Sequence, residues 1–249
     1  MSGQEIAVIV GASGDFGRAI TARLRGRGLK VVAVGRSSTS LSALAHEFDG
    51  LVPCVADISD DSAIVDIRAA LDAPVRVAVH GPGLSAPGHV DDIAPDALAA
   101  SVNIKAGGML RLTRAVHDHL AEDARLIGIA GHYGMEPTAY ACSAGIANAS
   151  LIALMRQLSL AYGPRGIGAH CVAPGPADTP RLHRIAEVRA SEKGITPEEV
   201  LAQLSAESSL GTFVDPTQVA WAVETLLAPE AIASTGTVLS LDGGRRRGL

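Results

Sequence analysis

The sequence predicts a single α/β domain, residues 1–249, built on a doubly wound parallel sheet with helices on both faces. Short runs rich in Val and Ile alternate with longer stretches of helical periodicity, which is typical of βαβ units. The chain is long enough for one compact domain with a large core. A glycine-rich segment follows the first strand-like run, at the point where such folds bind nucleotides.

The alternation predicts about seven strands and six helices, in chain order. The predicted strands are 5–10, 30–35, 51–56, 75–80, 125–130, 167–173 and 236–240. The predicted helices are 16–28, 38–48, 60–71, 95–120, 138–162 and 215–228, the last introduced by Asp215 and Pro216. The charged stretch 176–212 is too long for a simple connection, so we expect an ordered substrate lid with helical patterning around 182–189 and 197–205.

Composition excludes several classes of function. A net charge of −5 argues against a nucleic-acid surface, and the short run Arg245–Arg247 does not reverse this. Three cysteines (Cys54, Cys142 and Cys171) without CxxC spacing indicate reduced thiols, and we predict no metal site. No stretch approaches the roughly 20 apolar residues needed to cross a bilayer, and no signal peptide is apparent. We therefore expect a soluble, cytoplasmic protein.

The segment Val10–Arg18 leaves the first strand and opens the first helix. Its glycines permit a sharp turn and close approach of a diphosphate, and the helix amino terminus supplies unpaired N–H groups. The alternative is a purely structural tight turn. Asp15 is a favourable helix cap, but it would repel a phosphate if it pointed into the site. The predicted cofactor contacts in this turn are Gly11, Ser13, Gly14, Phe16 and Gly17.

Charge at the end of the second strand favours NADP over NAD. No acidic residue stands where a ribose hydroxyl would be bound, whereas Arg36, Ser37 and Ser38 are suited to a 2′-phosphate. The alternative is that Arg36 is an ordinary surface residue. Asp57, with Ile58 beside it, is predicted at the adenine, although Asp57 can also simply begin a turn.

Over essentially its whole length the chain resembles the short-chain dehydrogenase/reductase family, which has a Rossmann-type fold. Besides the glycine turn and Asp57, the motifs that carry the resemblance are Asn103, Tyr140, the segment 174–179 and the closing segment 236–244. The resemblance implies that Thr179 approaches the nicotinamide carboxamide, and that Pro174 and Gly175 shape the pocket. Gly81, in the turn after the fourth predicted strand, is a further predicted cofactor contact, although the turn His80–Gly83 departs from the family's Asn-Asn-Ala-Gly.

The resemblance also implies a homodimer or homotetramer packed through the helices predicted at 95–120 and 138–162. The small residues Ala141, Gly145, Ala149 and Ala153 recur every four positions, which suits close helix packing. The same stripe equally fits an intramolecular core face.

The chain departs from the family where the chemistry is expected. The resemblance implies a lysine four residues after Tyr140, but Ala144 is there, and the place of the serine reads Ile129–His132 without a hydroxyl. Of the family's catalytic residues only Asn103 and Tyr140 carry over. Without a nearby cation, only about one tyrosine in a thousand is ionised at pH 7, a loss of roughly 4 kcal/mol for base catalysis.

Other side chains are candidate substitutes, each with a structural alternative. His132 is the preferred proton donor, followed by His80 and Tyr133, although such residues often serve only in packing or backbone hydrogen bonds. Lys105 is the weakest candidate, because positions two apart do not share a helix face and Asn103 is expected to face the site. Arg181 and His183 in the lid suit an acidic substrate, or are simply solvated.

These observations predict an NADP-dependent oxidoreductase with a non-standard site, which reduces a carbonyl or a conjugated double bond of a small, moderately apolar molecule. Two alternatives remain open: an inactive dinucleotide-binding or regulatory protein, and a lyase or isomerase without net redox change. We expect the substrate pocket to be shaped by the loop 85–92, the segment 133–137 and the lid.

Overall fold

In the computed structural model, which describes residues 4–84 and 88–248, a seven-stranded parallel sheet has the order β3-β2-β1-β4-β5-β6-β7. The predicted fold class is confirmed. The chain crosses over between β3 and β4, so loops from the two halves of the sheet meet beyond the carboxyl ends of β1 and β4. The strands are β1 (Ile6–Val10), β2 (Lys30–Gly35), β3 (Val52–Val55), β4 (Val75–His80), β5 (Leu120–Ile129), β6 (Gly168–Pro174) and β7 (Val238–Leu241).

Nine α-helices accompany the sheet in the described part of the chain. The last begins with a capping box between Asp215 and Gln218, as the Asp-Pro pair predicts. The helices are α1 (Asp15–Gly26), α2 (Ser38–Glu47), α3 (Ser62–Ala69), α4 (Pro95–Val102), α5 (Gly108–Val116), α6 (Cys142–Tyr162), α7 (Pro180–Lys193), α8 (Pro197–Ala206) and α9 (Pro216–Thr225).

The core has two layers, one on each face of the sheet. Along β1, Val8 packs in one cluster with side chains of α3, α5 and α6, while Ile9 packs in the other with side chains of α1, α2 and α9. Strand side chains alternate between faces, so both layers bury an apolar set from the same strand. The predicted lid forms α7 and α8, which share a small core of their own that includes Leu182, Ala186 and Leu204.

The helix predicted over 95–120 is interrupted. After α4, a π-helical turn covers Asn103–Gly107 before α5 begins, and β5 starts at Leu120, five residues earlier than predicted. At this π-helical turn, Gly108 packs closely against β4. A Cβ on Gly108 would lie 2.6 Å from Cε1 of His80, so only glycine lets the helix approach that ring.

The helix predicted from residue 138 begins later. Residues Ala139–Ala141 form a 3₁₀ turn, and Ala141 has non-helical backbone angles (φ −130°, ψ 43°). The N–H of Cys142 donates to the Gly88 carbonyl at 3.0 Å, a tertiary bond that replaces an intrahelical one. Tyr140 therefore precedes α6, and its expected i, i+4 relation to Ala144 does not exist.

In length and composition, the helical stretch Ala139–Arg165 would suffice to cross a membrane, contrary to the sequence-based expectation. In the fold this stretch packs against β5 and β6, and Leu151, Met155 and Leu158 are buried in the core. A buried helix of a globular domain passes the same test, and the packing favours that explanation.

Candidate functional site

A cavity of about 660 Å³ lies beyond the carboxyl ends of the central strands and is covered by α7 and α8. Its volume is in the range of small-molecule and cofactor sites. One end is formed by the turn between β1 and α1, and the other by the ends of β4 and β5 with the beginning of α6. The cavity thus joins the predicted nucleotide region to the predicted catalytic region.

The glycine turn is held by close backbone contacts. Gly11 has φ +81°, and a Cβ on Gly17 would lie only 2.1 Å from the Gly11 carbonyl oxygen. The N-cap of α1 is Gly14, and no side chain caps the first N–H groups of the helix. Unpaired N–H groups at a helix amino terminus attract anions. All five predicted contacts, Gly11, Ser13, Gly14, Phe16 and Gly17, line the cavity, as does Asp15.

Arg36, Asp57 and Ile58 also line this end, whereas Ser37 does not. The Ser37 hydroxyl accepts a hydrogen bond from the Ser40 N–H at 3.1 Å and caps α2, and its role as a phosphate ligand stays a prediction. The Asp57 carboxylate accepts from the Ser59 N–H at 3.0 Å and from its hydroxyl at 2.7 Å. These bonds, and secondarily the positive charge of Arg36, lower the pKa of Asp57. Asp57 therefore forms the turn and faces the cavity as well.

The segment after β6 lines the cavity with Pro174, Gly175 and Thr179, and Gly81 lines it from β4. The Thr179 hydroxyl accepts from the Leu182 N–H at 3.4 Å and caps α7. Three arginines of α7 line the wall beyond it, and none forms an ion pair with another side chain in the described ranges. They are Arg181, Arg184 and Arg189. Their charge makes this wall attractive to an anion.

Tyr140 is not among the residues that line the cavity. Its hydroxyl lies 2.9 Å from the hydroxyl of Tyr133, which does line it, and the Arg189 guanidinium lies 4.2 Å from the centre of the Tyr140 ring. Burial, followed by the hydrogen bond to Tyr140, raises the pKa of Tyr133. Tyr133 therefore belongs to the cavity wall, and its hydroxyl forms a hydrogen bond with Tyr140, which lies outside the lining.

Asn103 also lies outside the cavity lining, and its catalytic role stays a prediction. Its amide donates to the Ser59 carbonyl at 2.9 Å and accepts from Arg111 at 2.9 Å. Lys105 lines the cavity instead, and its Nζ donates to the Ile129 carbonyl at 2.8 Å. The side chains of Asn103 and Lys105 point in different directions, as helix geometry predicts for positions two apart. In the π-helical turn, however, it is Lys105 that reaches the site.

Three buried titratable side chains lie at this end. Burial lowers the pKa of Lys105 to about 8, with Cys171 opposing and Arg181 adding to the shift. Burial and the neighbouring Lys105 lower the pKa of His80 to about 3, and its Nε2 lies 3.0 Å from the Ile104 carbonyl. His132 lines the cavity, and burial, followed by Arg245, lowers its pKa to about 4. Both histidines are therefore neutral at pH 7.

One face of α6 borders the cavity through Ala141, Ala144 and Asn148. Asn148 is buried, and a Cβ on Gly131 would lie 2.8 Å from its Nδ2. Sequence reasoning did not single out Asn148, although its spacing of four from Ala144 and eight from Tyr140 is a signal that would have found it.

The chain is similar to known proteins over most of its length. Residues 11–246 match the family described as enoyl-(acyl carrier protein) reductase. An uncharacterized short-chain type dehydrogenase/reductase of Sinorhizobium fredii is 30% identical, covering 88% of this chain and 91% of that protein. A putative ketoacyl reductase of Streptomyces coelicolor is 26% identical, covering 96% of each.

Among solved structures, an actinorhodin polyketide ketoreductase variant crystallised with NADPH superposes with a TM-score of 0.92. The two chains are 24% identical, and each is covered in full, which shows a shared fold. Together, the matched residues, the sheet order and the cavity at its switch point lead to one assignment. The chain belongs to the short-chain dehydrogenase/reductase family.

Proposed function

We propose that this chain is an NADP-dependent reductase of small-molecule carbonyls, with β-ketoacyl thioesters as the first substrate class to test. The observation that carries the proposal is one continuous cavity from the glycine turn and Arg36 to Lys105 and Tyr133. The ketoacyl reductase of Streptomyces coelicolor, similar over nearly its full length, supports the substrate class. The NADPH in the actinorhodin ketoreductase structure supports the cofactor.

The residues present fit NADP. The uncapped amino terminus of α1 suits the diphosphate, and the narrow glycine turn leaves no space for a Cβ at Gly17. Arg36 would hold the 2′-phosphate, and Asp57 with Ile58 the adenine. When bound, the cofactor supplies a hydride for the carbonyl carbon. Asp15 is exposed, so its carboxylate can remain in solvent beside the diphosphate.

The arginines of α7 favour a substrate that carries an anionic group. Arg184 is exposed at the cavity edge, and its charge contributes, after burial, to lowering the pKa of Arg181. Such mutual repulsion between two unpaired cations is relieved when an anion binds between them. A phosphate or carboxylate at the distal end of the substrate would fit this wall.

We also propose that the protein forms a homo-oligomer through α6. Ile146, Ala149, Ala153 and Leu160 are exposed on this helix, whereas Ala141 and Gly145 of the predicted stripe are buried within the chain. Analytical ultracentrifugation of the wild type and of Ile146→Glu tests the interface. A shift of Ile146→Glu toward monomer supports it, and an unchanged sedimentation coefficient contradicts it. Cytoplasmic location stays a prediction.

Two measurements test the function. NADPH and NADH are titrated by fluorescence, and NADPH oxidation is then followed with acetoacetyl-CoA, a cyclic ketone and an enone. The proposal expects tighter binding of NADPH and formation of an alcohol from a ketone. Saturation of the enone's double bond would favour the conjugated-bond reaction instead. NADPH binding without turnover would favour a regulatory protein, and a failure to bind either nucleotide would contradict the cofactor assignment.

A further inference from the structure

Lys105 is unusual for a lysine because the residue is only 6% exposed. Its Nζ makes one hydrogen bond in the described part of the chain, to the Ile129 carbonyl at 2.8 Å, and it has no carboxylate partner there. Burying an unpaired ammonium costs several kcal/mol, about the scale of a large destabilising mutation. Capping one carbonyl does not require that cost, since the N–H of a neutral side chain would do the same.

The position of Lys105 is fixed by the fold. The π-helical turn Asn103–Gly107 directs the side chain toward the end of β5, where Ile129, Ala130 and Gly131 line the same cavity. π-helical turns inside α-helices are frequently found at functional sites. An ammonium that bonds Ile129 with one N–H has two more N–H groups for the cavity side.

We propose that Lys105 is a catalytic residue whose ammonium delivers the proton in carbonyl reduction, in the place where the family uses a tyrosine. This role rests on the proposed carbonyl reduction. The substrate carbonyl carbon receives the hydride, and the C=O π bond breaks. The oxygen takes a proton from the Lys105 ammonium, which yields the alcohol. NADPH is oxidised to NADP⁺, and the neutral amine regains a proton from solvent.

The other groups at this end are poorer proton donors. His132 and His80 have pKa values of about 4 and 3, so at pH 7 only about one in a thousand and one in ten thousand are protonated. The pKa of Tyr133 lies above its usual value of 10. Lys105, with a pKa of about 8, is mostly protonated at pH 7 and has the acidity that suits proton transfer near neutral pH.

Cys171 and Arg181 act on Lys105, and Lys105 in turn acts on His80; the three groups lie on separate elements. Cys171 on β6 has its pKa raised to about 12 by burial, so it is a neutral thiol at pH 7. His80 on β4 is neutral as well, which leaves Arg181 on α7 as the neighbouring fixed charge. Because Arg181 lowers the pKa of Lys105, removing that guanidinium should raise it.

The experiment compares wild type with Lys105→Met and Lys105→Gln. Both variants should fold, since each removes an unpaired buried charge. The dissociation constant for NADPH should stay within about threefold of the wild-type value, while kcat for ketone reduction should fall at least about 100-fold. A loss of NADPH affinity as large as the loss of turnover would show that Lys105 holds the cofactor and would overturn the proposal.

The pH profile provides a second readout that a structural role would not change. In wild type, kcat should decrease above about pH 8 as Lys105 loses its proton, and this limb should be absent from the residual activity of Lys105→Met. In Arg181→Met the limb should move to higher pH. Full reduction by Lys105→Met contradicts this role alone. A wild type that binds NADPH but reduces no carbonyl contradicts the proposed function and this role together.

Discussion

The two ends of the cavity are built from different kinds of groups. The end at β1 and α1 consists largely of backbone, shaped by glycines and an uncapped helix terminus, with Arg36 at its edge. The opposite end consists of buried side chains, among them Lys105 and His132, whose charge states are set by their surroundings. A binding site formed by backbone atoms is fixed to one shape of ligand. The chemistry of a site formed by side chains, in contrast, can be changed by single substitutions. Under the proposals made above, the backbone end holds the cofactor, and the side-chain end is where the proton donor differs from the family's.

The largest expected effect is the acid sensitivity that comes from three buried histidines, two of which lie at the side-chain end. His80, His132 and His170 are buried with pKa values of about 3, 4 and 4, against an ordinary value of 6.5. Below pH 6.5 the unfolded chain binds more protons than the folded one. The free energy of unfolding therefore decreases as the pH is lowered, until the pH reaches the pKa values that the histidines have in the folded protein. At pH 5.5 the three histidines together should cost about 4 kcal/mol. Urea denaturation between pH 7.5 and 5 measures this loss.

His170 lies on β6 and does not line the cavity, so it provides the matched variant. His170→Gln should remove about one third of the acid-induced loss. An unfolding free energy that is flat between pH 7.5 and 5 would show that these rings are not buried in the neutral form.

The backbone end should be intolerant of a single methyl group. In Gly17→Ala the new Cβ would meet the Gly11 carbonyl at 2.1 Å and Ala12 Cα at 2.6 Å, and both are backbone atoms that cannot rotate away. We expect a loss of about 3 kcal/mol in the free energy of unfolding and loss of NADPH binding. Gly26→Ala in the same helix is the control, since its Cβ would meet nothing within 4 Å. Equal free energies of unfolding for Gly17→Ala and Gly26→Ala would show that the backbone end does tolerate a methyl group, and the contrast between the two ends would fail.

Arg36 is the side chain on which cofactor choice should depend. Arg36→Ala should weaken NADPH binding about 10- to 100-fold, the value of one or two charge-assisted hydrogen bonds, and leave NADH binding nearly unchanged. Arg27→Ala, which removes an exposed guanidinium that pairs with Glu224, is the control. Fluorescence titration measures both affinities. A preference for NADPH that survives in Arg36→Ala would disprove the assignment.

The smallest effect should distinguish the two tyrosines. Tyr140 lies outside the cavity lining, and Tyr140→Phe removes its hydrogen bond to the Tyr133 hydroxyl. We therefore expect kcat to stay within about threefold of the wild-type value and the free energy of unfolding to fall by about 1 kcal/mol. Tyr133 belongs to the cavity wall and Tyr140 does not, so Tyr133→Phe should raise KM for a ketone more than Tyr140→Phe does. Steady-state kinetics with saturating NADPH measure this. If Tyr140→Phe instead slowed turnover by about 100-fold or more, Tyr140 would be restored as the proton donor and Lys105 would be excluded.

Local patterns in the amino-acid sequence were sufficient to predict the alternation of strands and helices, the glycine turn and the capped start of α9. These features depend on the period of hydrophobicity, on glycine at close approaches, and on caps next to helices. Which side chains reach the catalytic end was settled only by the tertiary fold. The bond from Cys142 to Gly88 delays α6 and removes Tyr140 from the helix, and the packing of Gly108 on His80 accompanies the π-helical turn that directs Lys105 inward. Both contacts join residues distant along the chain, and no local pattern encodes them.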